Sequence, residues 1–105
     1  EALNALYLQN NCFSEFPIEL TQLPNLKVLF IGSNKMTKLP MEIGEMNSLT
    51  RLDLSNSPMT TISESIANLE GLKHLNLLET PISKDHVQIE KLRKLLPNTH
   101  IRTLL

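Results

Sequence analysis

Residues 26–36 read LKVLFIGSNKM, a segment that follows the order L-x-x-L-x-L and then reaches the polar residue Asn34. The same order returns at 3–13 as LNALYLQNNCF, at 49–59 as LTRLDLSNSPM and at 72–82 as LKHLNLLETPI. Each of these segments starts 23 residues after the one before it. A constant period of this length predicts a chain built from one structural unit used repeatedly.

The residues between these segments repeat as well. FPIELTQLPN, LPMEIGEMNS and ISESIANLEG share apolar residues at matching offsets. The leucines of x-L-x-L point to one face of a short strand, because side chains alternate along a strand. Each block is therefore predicted to form one coil of a right-handed solenoid, whose leucines are buried only when coils stack. Parallel strands would line the concave side and short helical return segments, containing Pro17 and Pro40, the convex side.

The full pattern, L-x-x-L-x-L-x-x-N followed by an L-P-x-x-I-x-x-L return, resembles the leucine-rich repeat family over residues 3 to about 98. Its 23-residue form is similar to a bacterial subfamily typified by secreted or surface proteins of pathogenic spirochaetes. The resemblance implies an α/β fold, a short right-handed horseshoe with parallel concave strands and four repeats. It further implies a module that binds protein and is not an enzyme. We expect one domain, 1–105, with repeats at 3–25, 26–48, 49–71 and 72–98.

The turn position of the repeat is occupied by Asn11, Asn34, Ser57 and Thr80 in successive blocks. An asparagine amide both donates to and accepts from backbone groups, whereas a hydroxyl has a single donor. We therefore expect fewer turn hydrogen bonds in the C-terminal half of the chain.

Residues 83–105 depart from the repeat pattern and are expected to form a C-terminal cap. A helix with Ser83 as its N-cap and Asp85 in its first turn is predicted. Residues 100–104 would add a last short strand with Ile101 pointing inward. The apolar face of the helix is predicted from Val87, Ile89, Leu92, Leu95 and Leu96.

No comparable cap precedes Leu3, the start of the first block. We therefore expect the chain to be a fragment that lacks upstream repeats and an N-terminal cap. The uncapped flank could alternatively be covered by another molecule, including a second copy in end-to-end self-association.

Composition excludes several classes of protein. Ten basic and eleven acidic residues give a net charge of −1, which favours neither nucleic acid nor an anionic membrane. No apolar run reaches the ~18 residues of a membrane span. Cys12 is the single cysteine, so an internal disulfide is impossible. No phosphate-binding glycine motif and no G-x-S-x-G motif occur, and no cofactor is expected.

The sequence gives little support for a catalytic or metal-binding site. Cys12 and His74 fall three coils apart, about 14 Å at the strand spacing of a sheet, so they form no dyad. Asp53, His74 and Ser55 could be drawn as a triad, but an open, wet groove disfavours catalysis. The three histidines lack the spacing of a zinc site, although a surface metal bridging two molecules remains an alternative.

The strand residues between the leucines should point out along the concave surface. They form a first column of Ala5, Val28, Arg51 and His74 and a second column of Tyr7, Phe30, Asp53 and Asn76. The first two coils are apolar and aromatic, and the next two are polar and charged. A contiguous apolar patch favours an interaction site, with Arg51 as a typical anchor beside it. The alternative is that strand propensity alone selected these residues.

Three functions are compatible with this surface. The first is a bacterial, secreted or cell-surface virulence module that binds a host cell-surface or extracellular protein. The second is a cytoplasmic scaffold, since similar repeats occur in scaffolds that bind small GTPases. The third is the recognition arm of a larger effector enzyme. The partner itself is not encoded in the repeat, because outward positions vary independently of the framework.

Overall fold

The structure is a computed structural model that describes residues 3–104, so the expectations for Glu1, Ala2 and Leu105 lie outside the described residues. Its strands are β1 (Ala5–Tyr7), β2 (Val28–Phe30), β3 (Lys38–Leu39), β4 (Arg51–Asp53), β5 (Thr61–Ile62), β6 (His74–Asn76) and β7 (His100–Arg102). Its helical segments are the 3₁₀ turns Ile18–Gln22, Met41–Glu45, Glu64–Asn68 and Pro81–Lys84, followed by the α-helix α1 (His86–Leu95).

Five strands form one parallel sheet in the order β1-β2-β4-β6-β7. The predicted parallel pairing is confirmed, and it is in register with the repeat. Leu29 lies between Leu6 and Leu52, and Leu75 lies between Leu52 and Ile101. The last step is 26 residues (101 − 75) where the earlier steps are 23, because α1 lengthens the return segment.

The leucine columns form the core of the molecule. Leu29, Leu52 and Leu75 have no exposed surface, and the column of Ile31, Leu54 and Leu77 beside them has none either. Burial of one such side chain contributes roughly 1.5–3 kcal/mol to folding. In the first coil Leu6 and Leu8 are only half-buried, because no preceding coil covers them among the described residues.

The return segments contain the short turns that the sequence predicts. Each of the first three 3₁₀ turns follows a residue in extended conformation, Pro17, Pro40 or Ser63. Each turn buries a single aliphatic side chain: Leu20, Ile43 and Ile66, respectively. These turns are too short to be stable alone, so their position depends on that buried contact.

A second, two-stranded parallel sheet, formed by β3 and β5, was not predicted from the sequence. Leu39 pairs with Ile62 in it, and both side chains are buried. Two-residue strands carry no periodic signal of their own, so only the stacking of neighbouring coils reveals them.

A left-handed residue precedes the turn position in every repeat. Asn10, Ser33, Asn56 and Glu79 have φ values of 64°, 53°, 55° and 61°. Asparagine tolerates this conformation better than other residues with a Cβ, so Ser33 and Glu79 hold it at a higher cost. The chain reverses direction at this point, and the next residue is exposed in the first repeat (Asn11) and buried in the other three (Asn34, Ser57 and Thr80).

Asn34 occupies this position in the second repeat and is buried. Its Oδ1 accepts hydrogen bonds from the backbone N–H of Asn11 and of Phe13, at 2.9 and 3.0 Å. Its Nδ2 donates to the carbonyl oxygens of Leu8, Ile31 and Gly32 at 2.9–3.0 Å. One amide therefore satisfies backbone groups of two successive coils.

The expected loss of turn hydrogen bonds in the C-terminal half is confirmed. Ser57 is buried and donates one bond, from Oγ to the carbonyl of Leu54 at 2.7 Å. Thr80 donates from Oγ1 to the carbonyl of Leu77 and accepts from the N–H of Ser83. Neither hydroxyl reaches the preceding coil in these bonds.

The C-terminal segment contains a helix, but its start differs from the prediction. Asp85 is the N-cap of α1, and its Oδ1 accepts from the backbone N–H of Gln88. The Gln88 amide donates back to Asp85 Oδ2 and also to the carbonyl of Thr60. Ser83, the predicted N-cap, lies buried in the preceding 3₁₀ turn and donates to the carbonyl of Thr80. The extra short turn is what displaces the start of α1.

Ile89, Leu92 and Leu96 point into the core, and Leu95 is half-buried against it. Val87 was predicted on the same face, but 78% of its surface is exposed. It precedes Ile89 by two positions, which turns it about 200° away around an α-helix. An ion pair between Lys91 and Glu64 joins the exposed side of α1 to the preceding return segment.

We predict that Asn34→Ala lowers the free energy of unfolding by about 3 kcal/mol or more, because it leaves several buried backbone groups without partners. Asn11→Ala is the matched control, since the Asn11 side chain makes the same type of bond at an exposed site. Water replaces its bonds, so the expected loss is below about 1 kcal/mol. Urea unfolding followed by circular dichroism measures both values, and equal losses would contradict the burial argument.

Hydrogen bonds from the side chain and then from the backbone N–H of Gln88 hold the pKa of Asp85 below its ordinary value of 3.8. The lowered pKa of Asp85 in the folded state stabilises the protein at pH values above the ordinary pKa. This stabilisation is lost as the pH falls through the pKa of the folded state. We expect the melting temperature of the wild type to exceed that of Asp85→Asn at pH 7. The difference should shrink on acidification to pH 2, and a constant difference would contradict this assignment.

Candidate functional site

The eight sequence-predicted site residues lie on the outward side of β1, β2, β4 and β6, two on each strand. The pairing places Ala5, Val28, Arg51 and His74 side by side as the first column. It places Tyr7, Phe30, Asp53 and Asn76 side by side as the second column. Because the leucine between each pair points inward, every pair is presented on the opposite face of the sheet.

The aromatic half of this surface is built around Tyr7 and Phe30. Their ring centroids are 5.0 Å apart and their planes are tilted by 45°, a favourable contact for two aromatic rings. Tyr7 is 61% exposed, while Phe30 and Val28 are half-buried. Phe30 therefore supports the Tyr7 ring, and Tyr7 presents the larger free apolar surface.

The polar half is organised by Asp53. Its Oδ1 accepts from the backbone N–H and from the hydroxyl of Ser55, at 2.9 and 2.6 Å. Its Oδ2 accepts from Asn76 Nδ2 at 3.1 Å, and Asn76 Oδ1 accepts from the N–H of Leu78. Asp53 and Asn76 thus brace the ends of β4 and β6, and much of their hydrogen-bonding capacity is used inside the chain.

Arg51 and His74 are exposed and lie next to each other on β4 and β6. They border a shallow depression of about 160 Å³, which Phe30 limits on the aromatic side. Among the bonds of the described chain, no salt bridge joins Arg51 to a carboxylate. Its guanidinium is consequently available to a partner.

Two further residues complete this surface and were not among the predicted site residues. β7 pairs with β6, which places His100 beside His74 and Arg102 beside Asn76. Both side chains are exposed and line the same depression. The signal was present in the sequence, because an inward Ile101 requires its two neighbours to point outward.

The hydrogen bonds of Ser55 do not fit a catalytic triad of Asp53, His74 and Ser55. The Ser55 hydroxyl donates its hydrogen bond to Asp53, so it is not directed towards His74. In a working triad the imidazole receives that proton and the carboxylate orients the imidazole. Within residues 3–104, no group of three or more His, Cys, Asp and Glu side chains is placed to hold a metal ion.

The arrangement of repeats can be compared with known proteins. Residues 24–82 match the model of a family described as leucine rich repeat. The chain belongs to the leucine-rich repeat family. Proteins of this family generally use the repeat scaffold for protein–protein interaction, without catalysis by the scaffold itself.

A solved leucine-rich repeat protein from Leptospira interrogans is similar in structure, with a TM-score of 0.86 and 40% sequence identity. The match covers 94% of this chain and 25% of that chain, so this chain spans a quarter of the similar protein's length. The predicted resemblance to spirochaete leucine-rich repeats is confirmed. No curated protein matches the sequence. Among residues 3–104, no helix combines the length and apolar character that crossing a membrane requires.

Gly32 sets how closely β2 and β4 approach at the edge of the candidate surface. A Cβ at this position would lie 2.3 Å from the backbone oxygen of Ser55 and 3.2 Å from Asp53 Oδ1. We predict that Gly32→Ala lowers the free energy of unfolding by about 1–3 kcal/mol through this clash. Gly71→Ala is the control, because its Cβ would meet its nearest neighbour at 3.8 Å. Denaturant unfolding of both variants measures the difference, and an equal response would contradict the close-approach argument.

Proposed function

We propose that this chain is a non-enzymatic module that binds a partner protein through the concave surface formed by the two columns. Tyr7, Val28 and Phe30 would act as apolar anchors. Arg51, Asp53, His74 and Asn76 would orient the partner, with Ala5 leaving room beside Tyr7. The observation that carries this proposal is the exposed Tyr7 ring, held against Phe30 at 5.0 Å on a strand face.

The energetics of protein interfaces support this division of roles. An aromatic ring already held by a neighbour loses little conformational freedom when a partner covers it, so more of its burial is retained as affinity. Tyrosine and arginine are the residue types most enriched among strong interface contacts. The brace between Asp53, Ser55 and Asn76 supports the polar half in the same way, because it limits side-chain motion before binding.

The architecture proposed for this module is one domain of four repeats, at 3–25, 26–48, 49–71 and 72–98, with a C-terminal cap from residue 83. The recurrence of strands β1, β2, β4 and β6 at 23-residue intervals supports the repeat bounds. The burial of Ile89 and Leu92 against the end of the stack supports a capping role for α1. Right-handed coiling is the expected sense for parallel strands joined in this way.

We also propose that the partner is a host cell-surface or extracellular protein and that the module is bacterial and secreted or surface-exposed. The spirochaete origin of the similar structure supports this assignment. A cytoplasmic scaffold would use the same concave surface. Locating the full-length protein in fractionated cells distinguishes the two, because an extracellular role requires that it leave the cytoplasm.

The test is to isolate the partner on immobilised wild-type protein and then measure its affinity for four variants. Tyr7→Ala and Arg51→Glu should each weaken binding by about 30-fold or more, as expected for anchors at an interface centre. Both side chains are exposed, so the melting temperatures should remain close to that of the wild type. Phe30→Ala is a poorer probe, because Phe30 also packs within the sheet.

Matched controls are available on the convex side. Met41→Ala removes an apolar side chain that is 72% exposed in a return turn, and Lys38→Glu reverses an exposed charge on β3. Both control variants should bind as the wild type does. Undiminished binding by Tyr7→Ala and Arg51→Glu, or loss of binding in the convex variants, would overturn the concave assignment.

A further inference from the structure

Four side chains on the last three strands of the sheet form a basic cluster, defined here as Arg51, His74, His100 and Arg102. Arg51 pairs across to His74, and His74 pairs across to His100, in consecutive register positions of the first column. Arg102 extends the second column beside Asn76. All four side chains are exposed, and all four line the depression of about 160 Å³.

The two histidines of the cluster contact each other. The rings of His74 and His100 meet edge to face, with centroids 6.2 Å apart and an angle of 72°. No salt bridge among the described residues pairs either arginine of the cluster with a carboxylate. The charges of Arg51 and Arg102 are therefore available to a bound anion.

The charges around the cluster leave a net positive sign. One acidic side chain, Asp53, also lines the depression, and its carboxylate accepts hydrogen bonds from Ser55 and Asn76. On β2 the outward residues Val28 and Phe30 are uncharged, and Lys27 and Lys73 stand one residue before β2 and β6. Counting Arg51, Arg102 and Asp53 gives +2 − 1 = +1.

We propose that the basic cluster binds an acidic segment of the partner protein, with aspartate or glutamate carboxylates seated in the depression next to the aromatic pair. This deepens the proposed function and rests on it. Charge complementarity selects a peptide that carries carboxylates, since arginine pairs with them through two parallel hydrogen bonds.

The geometry also sets the spacing within that segment. Two strand steps separate Phe30 on β2 from His74 on β6, which is about 10 Å at the usual inter-strand distance. An extended peptide covers that distance in about three residues. The partner segment should therefore carry an aromatic or large apolar residue about three positions away from its acidic residues.

The probe is a labelled synthetic peptide with one phenylalanine, two serines and three glutamates in that order. Its control contains glutamines in place of the glutamates. Binding to the whole chain is measured by fluorescence anisotropy at pH 7.5, where glutamate is ionised. We expect the glutamate peptide to bind about three- to tenfold more tightly than the glutamine peptide, the effect of two exposed charge pairs.

Variants test the charge of the cluster. Arg51→Gln combined with Arg102→Gln should weaken binding of the glutamate peptide to about that of the glutamine peptide. Lys38→Gln, on the convex side, is the control for a simple change of net charge and should leave the affinity unchanged. Circular dichroism verifies that each variant is folded.

Equal binding of the two peptides, no detectable binding of either, or full binding by the arginine double variant would each overturn the proposal. A sulfated polysaccharide that binds more tightly than the glutamate peptide, without any effect of Tyr7→Ala, would also overturn it. The proposed function fails separately. It fails when the isolated partner is indifferent to Tyr7→Ala, whereas the acidic-segment proposal fails when that partner depends on Tyr7 but not on Arg102.

Discussion

Every other feature of this molecule depends on the burial of one coil's leucines by the next coil. Leu29, Leu52 and Leu75 have no exposed surface, yet each belongs to a unit of 23 residues too small to enclose it. Burial is therefore achieved between coils and not within them. This forces the strands into parallel register, because a slip by one residue would turn the leucines to solvent and the outward residues into the core.

The turn that ends each strand provides hydrogen-bond partners for the backbone N–H and C=O groups where the chain leaves the sheet. A left-handed residue reverses the chain, and in the last three repeats the following side chain is buried and donates to carbonyl groups of the turn. Asn34 does this for two coils at once. Ser57 and Thr80 do it for their own coil only, so the C-terminal half relies more on packing and on the Gln88 bond from α1.

Because the leucines and the turn residues make the core contacts, the outward side chains of the strands are not needed to form the core. The same backbone can therefore present an aromatic pair on two strands and a basic cluster on the last three without disturbing the leucines. Asp53 shows the limit of this freedom, because its carboxylate is bound by Ser55 and Asn76 and stabilises the end of its own strand. Stability in this fold is thus a property of the layer beneath the columns, and the columns carry the proposed binding surface.

The sequence by itself determined the period, the inward leucines and the outward columns, because all three follow from alternation along a strand repeated at a constant interval. It also indicated the thinner hydrogen bonding at Ser57 and Thr80 from the chemistry of a hydroxyl. It misplaced the N-cap of α1 and the direction of Val87, and it left His100 and Arg102 out of the surface. The β3–β5 pairing and the hydrogen bond from Asn76 to Asp53 were decided by tertiary structure alone, because each joins residues 23 positions apart, which no local pattern records.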